Sequence, residues 1–220
     1  MKVIQPPRAL IFDMDGVLVD NLHFHLQSWI EFCANHGILI TPDEFQSKMF
    51  GGTNKVLMER VFRRPLSKKE HDFYTNEKES LYRLLYEPHI IPLPGIRNFI
   101  LAARKAGIMT AVATAGPKDN LSFVLQKTRM EGLFDVTLDD SDVKKGKPDP
   151  EIYLFTLAAL KLSANECLVF EDSIMGVQAA QAAGIRVVGV TTSLDSQSLS
   201  HTWKTIPDFS AFTLNDLVSE

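Results

Sequence analysis

Four polar clusters in this 220-residue chain have the residue types and the placement to act on one ligand. Asp13-Met14-Asp15-Gly16 directly follows the apolar run at 8–12 (RALIF), and Thr114-Ala115-Gly116 directly follows the one at 109–113. Lys147 stands in KKGKPDP, just before a helix start at 149, and Glu171-Asp172 ends the run that begins at Cys167. Polar residues that leave buried parallel strands collect at one edge of the sheet. That edge would hold four carboxylates, a hydroxyl and an ammonium. Two like charges 4 Å apart interact by ~4 kcal/mol at an effective dielectric near 20, so the carboxylates need a cation. An all-oxygen donor set suits Mg²⁺, which takes one or two carboxylates together with water and phosphate oxygens.

Each residue also has an ordinary reading. An EF-hand loop needs a third ligand before its glycine and a Glu at position twelve, and the sequence after Asp13 supplies neither. Asp15-Gly16 alone would be a turn. Thr114 alone, or Asp172 alone, would be a helix N-cap. Lys147 alone would be a solvated lysine like Lys144 and Lys145. Gly146-Lys147 is not a GxxxxGK[ST] phosphate loop, because position 141 is Ser and position 148 is Pro. No GxGxxG is present, so a dinucleotide cofactor is unsupported. Chemistry is favoured by the set taken together.

The elements that must position this set are legible as a rhythm. Short bounded apolar runs at 8–12, 109–114, 167–171 and 186–190 read as buried parallel strands. Helical patterns lie between them: 95–106 stopped by Gly107, 149–160 opened by Asp149-Pro150, and 173–183 ended by Gly184. Alternation of this kind predicts an α/β fold with a doubly wound parallel sheet. Residues 20–87 break the rhythm with helical patterns, the first from Asn21 to Asn35. The expected division is therefore a core of 1–19 and 88–220 with an inserted helical unit at 20–87, joined through 16–20 and the Pro-rich 88–94. An insertion directly after the first strand would lie over the carboxyl ends of the strands, where open α/β sheets bind ligands.

Composition narrows the function classes. The chain has 23 Lys+Arg against 27 Asp+Glu, a formal charge of −4, which argues against nucleic acid as a partner. It has 45% hydrophobic residues and no run near the ~20 apolar residues of a membrane span. The N-terminus lacks the apolar stretch of a secretory signal, and Cys33 and Cys167 are isolated thiols, so a reducing, cytoplasmic location is expected.

FDMDGVLVD, the Thr after VA, the Lys of GKPDP and the FEDS segment resemble the four motifs of the haloacid dehalogenase superfamily, in its phosphatase and β-phosphoglucomutase-like subgroup with a small helical cap. The resemblance runs from residue 8 to about 190. It implies that Asp13 is a nucleophile forming an aspartyl-phosphate, and that Asp15 is the general acid and then base. It implies that Thr114 and the amides after it, Ala115 included, hold phosphoryl oxygens, and that Lys147 neutralises nucleophile and phosphate together. Mg²⁺ would be held by Asp13, the backbone carbonyl of Asp15 and Asp172, with Glu171 reaching it through water. In the cap, Phe50-Gly51-Gly52-Thr53 resembles the substrate loop, and His25 stands where the mutases carry a histidine. Trp29, four residues on, would contact a sugar or pack at the seam, and Lys78 is near a cap lysine of the mutases or else a surface lysine.

One departure is Asn54, where the mutases place an arginine for a distal phosphate. Asn lacks a guanidinium's charged, bidentate grip, although Arg60 or Lys55 would compensate. The expectation is a Mg²⁺-dependent phosphohydrolase for small phosphorylated metabolites, working as a monomer without nucleic acid or membrane. The alternatives are a phosphosugar mutase and a non-catalytic phospholigand-binding protein.

Overall fold

The apolar runs form strands because each is long enough to cross a sheet and has no polar side to show to water. In the computed structural model, which describes residues 5–48 and 54–218, β1 is Ala9–Phe12 and every one of its residues is buried. β2 is Met109–Ala113, β3 Val136–Leu138, β4 Cys167–Glu171, β5 Arg186–Val190 and β6 Lys204–Ile206. They make a six-stranded sheet in the order β3-β2-β1-β4-β5-β6, with every pair parallel. β3 and β6 are additions to the expected strands. Each has only three residues and is largely half-buried, so neither leaves an apolar run to read.

The chain divides into two compact units, Met1–Asp20 with Ile91–Glu220, and Asn21–Ile90. The second unit is helical: α1 (Leu22–Asn35), α2 (Pro42–Lys48), α3 (Asn54–Phe62) and α4 (Lys68–Tyr86), with a 3-10 turn at Glu87–His89 extending α4. Its core joins Trp29, Phe32 and Cys33 of α1 to Phe45 of α2 and to Leu57, Met58 and Val61 of α3. Ser67 starts α4 with a capping box, its hydroxyl and the Glu70 carboxylate each bonding the other's backbone N–H.

The first unit adds α5 (Ile96–Lys105), α6 (Lys118–Lys127), α7 (Glu151–Leu160) and α8 (Ile174–Ala182) around the sheet. Alternation of side chains gives each face its own core. Ala9 and Ile11 join Ala111, Ala113 and Val169 against Ile152, Tyr153 and Leu157 of α7 and Val177 and Ala180 of α8. Phe12 turns to the other face, stacked on Phe170 at 4.9 Å and edge-on to Phe99 of α5 at 6.4 Å. The two connections to the helical unit are stitched where they leave the sheet: Leu93 N–H donates to Leu18 C=O at 2.8 Å.

Candidate active site

The register places the predicted cluster. Phe12 lies beside Val112 on one side and Phe170 on the other, so residues 13, 113 and 171 leave the sheet side by side. Asp13 N–H continues the ladder to Phe170 C=O at 3.0 Å, and Thr114 N–H to Leu138 C=O at 3.1 Å. Asp13 shares the parity of Ala9 and Ile11, and Glu171 that of Val169, so both carboxylates face the α7–α8 side. Lys147, in the loop before α7, reaches between them. Its ammonium donates to Asp13 Oδ1 at 2.8 Å, to Glu171 Oε1 at 2.5 Å and to Ala113 C=O at 3.1 Å. The solvated reading of Lys147 is therefore wrong: its side chain is only 6% exposed, whereas Lys144 and Lys145 are exposed.

The loop after β1 folds into a tight turn, with Gly16 N–H on Val19 C=O at 2.8 Å and Leu18 N–H on Met14 C=O at 2.9 Å. Gly16 has φ +75°, and a Cβ there would overlap the Asp172 carboxylate, so glycine is required on both counts. Asp15 lies close to Gly116: a Cβ on that glycine would be 3.0 Å from Met14 Cε, 3.3 Å from Thr114 Oγ1 and 3.6 Å from Asp15 Oδ2. Thr114 is buried and its hydroxyl oxygen accepts from Gly116 N–H at 3.0 Å, leaving the hydroxyl proton outside that bond. Ala115 is exposed at the tip of this turn, two residues before Pro117 caps α6. Asp172 does not cap α8. Ser173 does, accepting from Gly176 N–H at 3.0 Å, and Asp172 is left to the cluster.

One carboxylate oxygen from each of Asp13, Glu171 and Asp172 lies within 4.8 Å of the others, and all three residues are buried. Burial pushes the Asp13 carboxyl up to about 7; Lys147 pulls it down, while Glu171 and Asp15 add to the rise. Burial, then Glu171 and Asp13, raise Asp172 well above the usual carboxylate range. Burial works against the charge on Lys147, but Asp13 and Glu171 outweigh it and keep the ammonium protonated. Three crowded carboxylates thus face one cation. A hard divalent ion fits this donor set, because oxygens are its preferred ligands and a second positive charge would relieve the crowding.

The predicted residues of the helical unit form a separate buried network. Lys78 Nζ lies 3.1 Å from His25 Nδ1 and 3.0 Å from Glu79 Oε1, and it sits over the Trp29 ring at 5.2 Å. The surface reading of Lys78 is overturned, since only 1% of it is exposed. His25 stacks on Tyr82, and Asn54 donates to Glu79 Oε1 at 2.8 Å. Trp29 belongs to the apolar core of this unit. Gly51, Gly52 and Thr53 lie outside the described residues.

Four contributors were missed. Tyr153 O–H donates to Glu171 Oε1 at 2.8 Å, and Gly176 leaves the space that the Glu171 carboxylate fills. Thr192 O–H donates to Gly16 C=O at 2.6 Å, and Ser193 O–H donates to Asp172 Oδ2. The last two carry a readable signal: Thr191-Thr192-Ser193 is a polar run directly after a buried strand, like the other clusters.

A family model described as haloacid dehalogenase-like hydrolase matches residues 10–190. A curated protein of Thermotoga maritima named phosphorylated carbohydrates phosphatase is 34% identical over 193 residues, covering 85% of this chain and 87% of that protein. The Bacillus subtilis protein named β-phosphoglucomutase is 28% identical, covering 83% of each. The crystal structure of a family IA, variant 3 HAD hydrolase from Entamoeba histolytica superposes with a TM-score of 0.88 at 30% identity, covering 96% of this chain and 97% of that one. With a match that takes in the strand before Asp13, the Lys147 loop and the Glu171-Asp172 pair, this chain belongs to the haloacid dehalogenase-like hydrolase family.

Proposed function

We propose that this protein is a Mg²⁺-dependent phosphohydrolase for small phosphomonoesters, sugar phosphates foremost, acting in the cytoplasm through an aspartyl-phosphate on Asp13. The observation that carries the reading is the Lys147 ammonium set between Asp13 and Glu171, at the sheet edge that also bears Asp15 and Thr114. The name of the Thermotoga maritima relative supports a phosphorylated carbohydrate as substrate.

Asp13 attacks phosphorus in line, and the bond to the sugar oxygen breaks. Asp15 gives its proton to the departing alkoxide. Asp15 then takes a proton from water, whose oxygen attacks the aspartyl-phosphate, releasing inorganic phosphate and restoring Asp13. Thr114 O–H, with the Ala115 amide before α6, holds phosphoryl oxygens, as the start of a helix favours anions, while the Gly116 amide orients the Thr114 hydroxyl. Lys147 offsets the repulsion of one anion attacking another. Asp13, Asp172 and the Asp15 carbonyl would hold Mg²⁺, with Glu171 assisting through water. When bound, the ion supplies a further positive charge against the phosphoryl oxygens.

The helical unit, joined through 16–20 and 88–94, carries substrate choice in this reading, with His25, Trp29, Lys78 and the 51–53 loop as its candidates. Asn54 supports hydrolysis over mutase action: its amide is engaged with the Glu79 carboxylate and lacks the charged, bidentate grip of a guanidinium on a second phosphate. The test is phosphate release from a panel of sugar phosphates with Mg²⁺ or EDTA. EDTA is expected to abolish release, and Asp13→Asn to lower it by roughly 10³-fold or more. Release that survives either change overturns the mechanism. Conversion of β-glucose 1-phosphate to glucose 6-phosphate, with a bisphosphate activator added, is expected to be absent.

A further inference from the structure

We infer that Thr192 and Ser193 are two separate positioning residues for this site, Thr192 fixing the turn that carries Asp15 and Ser193 fixing the carboxylate of Asp172. The inference rests on the phosphatase reading and adds to it a segment outside the four motifs.

The geometry begins with the sheet. β4 lies between β1 and β5, and Gly189 pairs with Glu171, so the chain leaving β5 passes the Asp172 position. Thr191 N–H holds the start of this segment to Ile206 C=O of β6 at 2.9 Å. The next two hydroxyls then point inward. Thr192 O–H donates to Gly16 C=O at 2.6 Å. Ser193 O–H donates to Asp172 Oδ2. Gly16 and Asp172 are themselves in close packing, since a Cβ on Gly16 would occupy the carboxylate's place. Two adjacent residues on one anchored segment therefore grip the two halves of that packed pair.

The halves have different duties. The turn ending at Gly16 carries the proton-transferring group, so slack there misplaces Asp15 by fractions of an ångström and slows chemistry. The carboxylate of Asp172 is a metal ligand in the proposed site, and partners that orient such ligands typically set metal affinity 10- to 100-fold. The same turn also carries the Asp15 carbonyl, a ligand of the ion in the proposed site, so loss of the first hydroxyl falls chiefly on turnover and loss of the second chiefly on metal binding.

The experiment compares Thr192→Val, Thr192→Ser, Ser193→Ala and Asp13→Asn in the full chain. It measures kcat and KM for a hydrolysed sugar phosphate, and it follows the Mg²⁺-dependent rise in melting temperature without substrate. Thr192→Val keeps the shape and loses the donor. It is expected to lower kcat by about 10- to 100-fold, with a smaller change in the Mg²⁺ midpoint that reaches the ion through the Asp15 carbonyl, and Thr192→Ser to restore most of the loss. Ser193→Ala is expected to raise the Mg²⁺ midpoint of the thermal shift by about 10-fold or more, with a smaller effect on kcat. If Thr192→Val and Ser193→Ala both keep parental kcat and Mg²⁺ midpoints, or if the two variants change kcat and the midpoint in the same proportion, the inference falls. Asp13→Asn separates the two levels: activity retained there sinks the phosphatase reading itself, whereas activity lost there beside silent Thr192 and Ser193 variants sinks only this assignment.

Discussion

Lys147 is the residue on which the acidic cluster turns. Its ammonium contacts Asp13 and Glu171 from a side chain almost wholly out of water. Removing one partner from a buried charge set costs about 3–5 kcal/mol, because the charges left behind stay desolvated. Lys147→Met keeps the stem and loses the charge. It is expected to abolish phosphate release and to lower unfolding free energy by about that amount in urea titrations, with Mg²⁺ narrowing the stability loss; parental stability would contradict the account. Asp13, Asp15, Thr114 and Asp172 could be picked out in the sequence because each is polar and stands at or just past the end of an apolar run, whereas Lys147, in a polar loop before α7, could be picked out only in the company of the other clusters. Tyr153 could not, since a tyrosine on the apolar face of a helix reads as core until its hydroxyl is seen on Glu171. Lys78 was opaque for the same reason: its partner His25 comes from α1, and nothing on α4 marks the lysine as buried.

At the scale of elements, α8 shows a helix start shaped by the site rather than by helix propensity. Alanine ordinarily stabilises a helix interior by up to about 1 kcal/mol relative to glycine. At Gly176 the added methyl would overlap the Glu171 carboxylate, and overpacking of this kind costs about 1–3 kcal/mol. Gly176→Ala is therefore expected to destabilise the protein and to weaken turnover. A denaturation midpoint above the parental one would show that the carboxylate has room to move. The strands that pass through the middle of the sheet were legible, because burial on both faces demands unbroken apolar runs. β3 and β6, at its two edges, answer to no such demand. The four helix starts that were read, those of α1, α5, α7 and α8, lie within two residues of the observed ones, while α2, α3, α4 and α6 were given none. Asp149, read as an N-cap, instead accepts from Glu151 N–H at 3.1 Å while Pro150 occupies the cap, since the proline ring fits the turn one position earlier.

At the scale of the whole molecule, the candidate ligands Asp13, Glu171 and Asp172 come from distant parts of the chain and meet only when β1 and β4 pair. An unfolded chain offers the ion no comparable site. Binding confined to the native state adds about 2.7 kcal/mol at a hundred times the dissociation constant. Calorimetry with excess Mg²⁺ is accordingly expected to give a higher melting temperature than calorimetry with EDTA, and coincident curves would count against the site. The parallel architecture was legible as a whole because alternation of strands and helices leaves few other solutions. The Leu93–Leu18 bond has a broader consequence. An insertion that departs and returns through neighbouring points can be lengthened, trimmed or traded for another without shifting a single strand pairing. Under the proposed reading, in which the inserted unit carries substrate choice, a lineage built on this scaffold would change what it recognises by exchanging a module while inheriting its reaction intact.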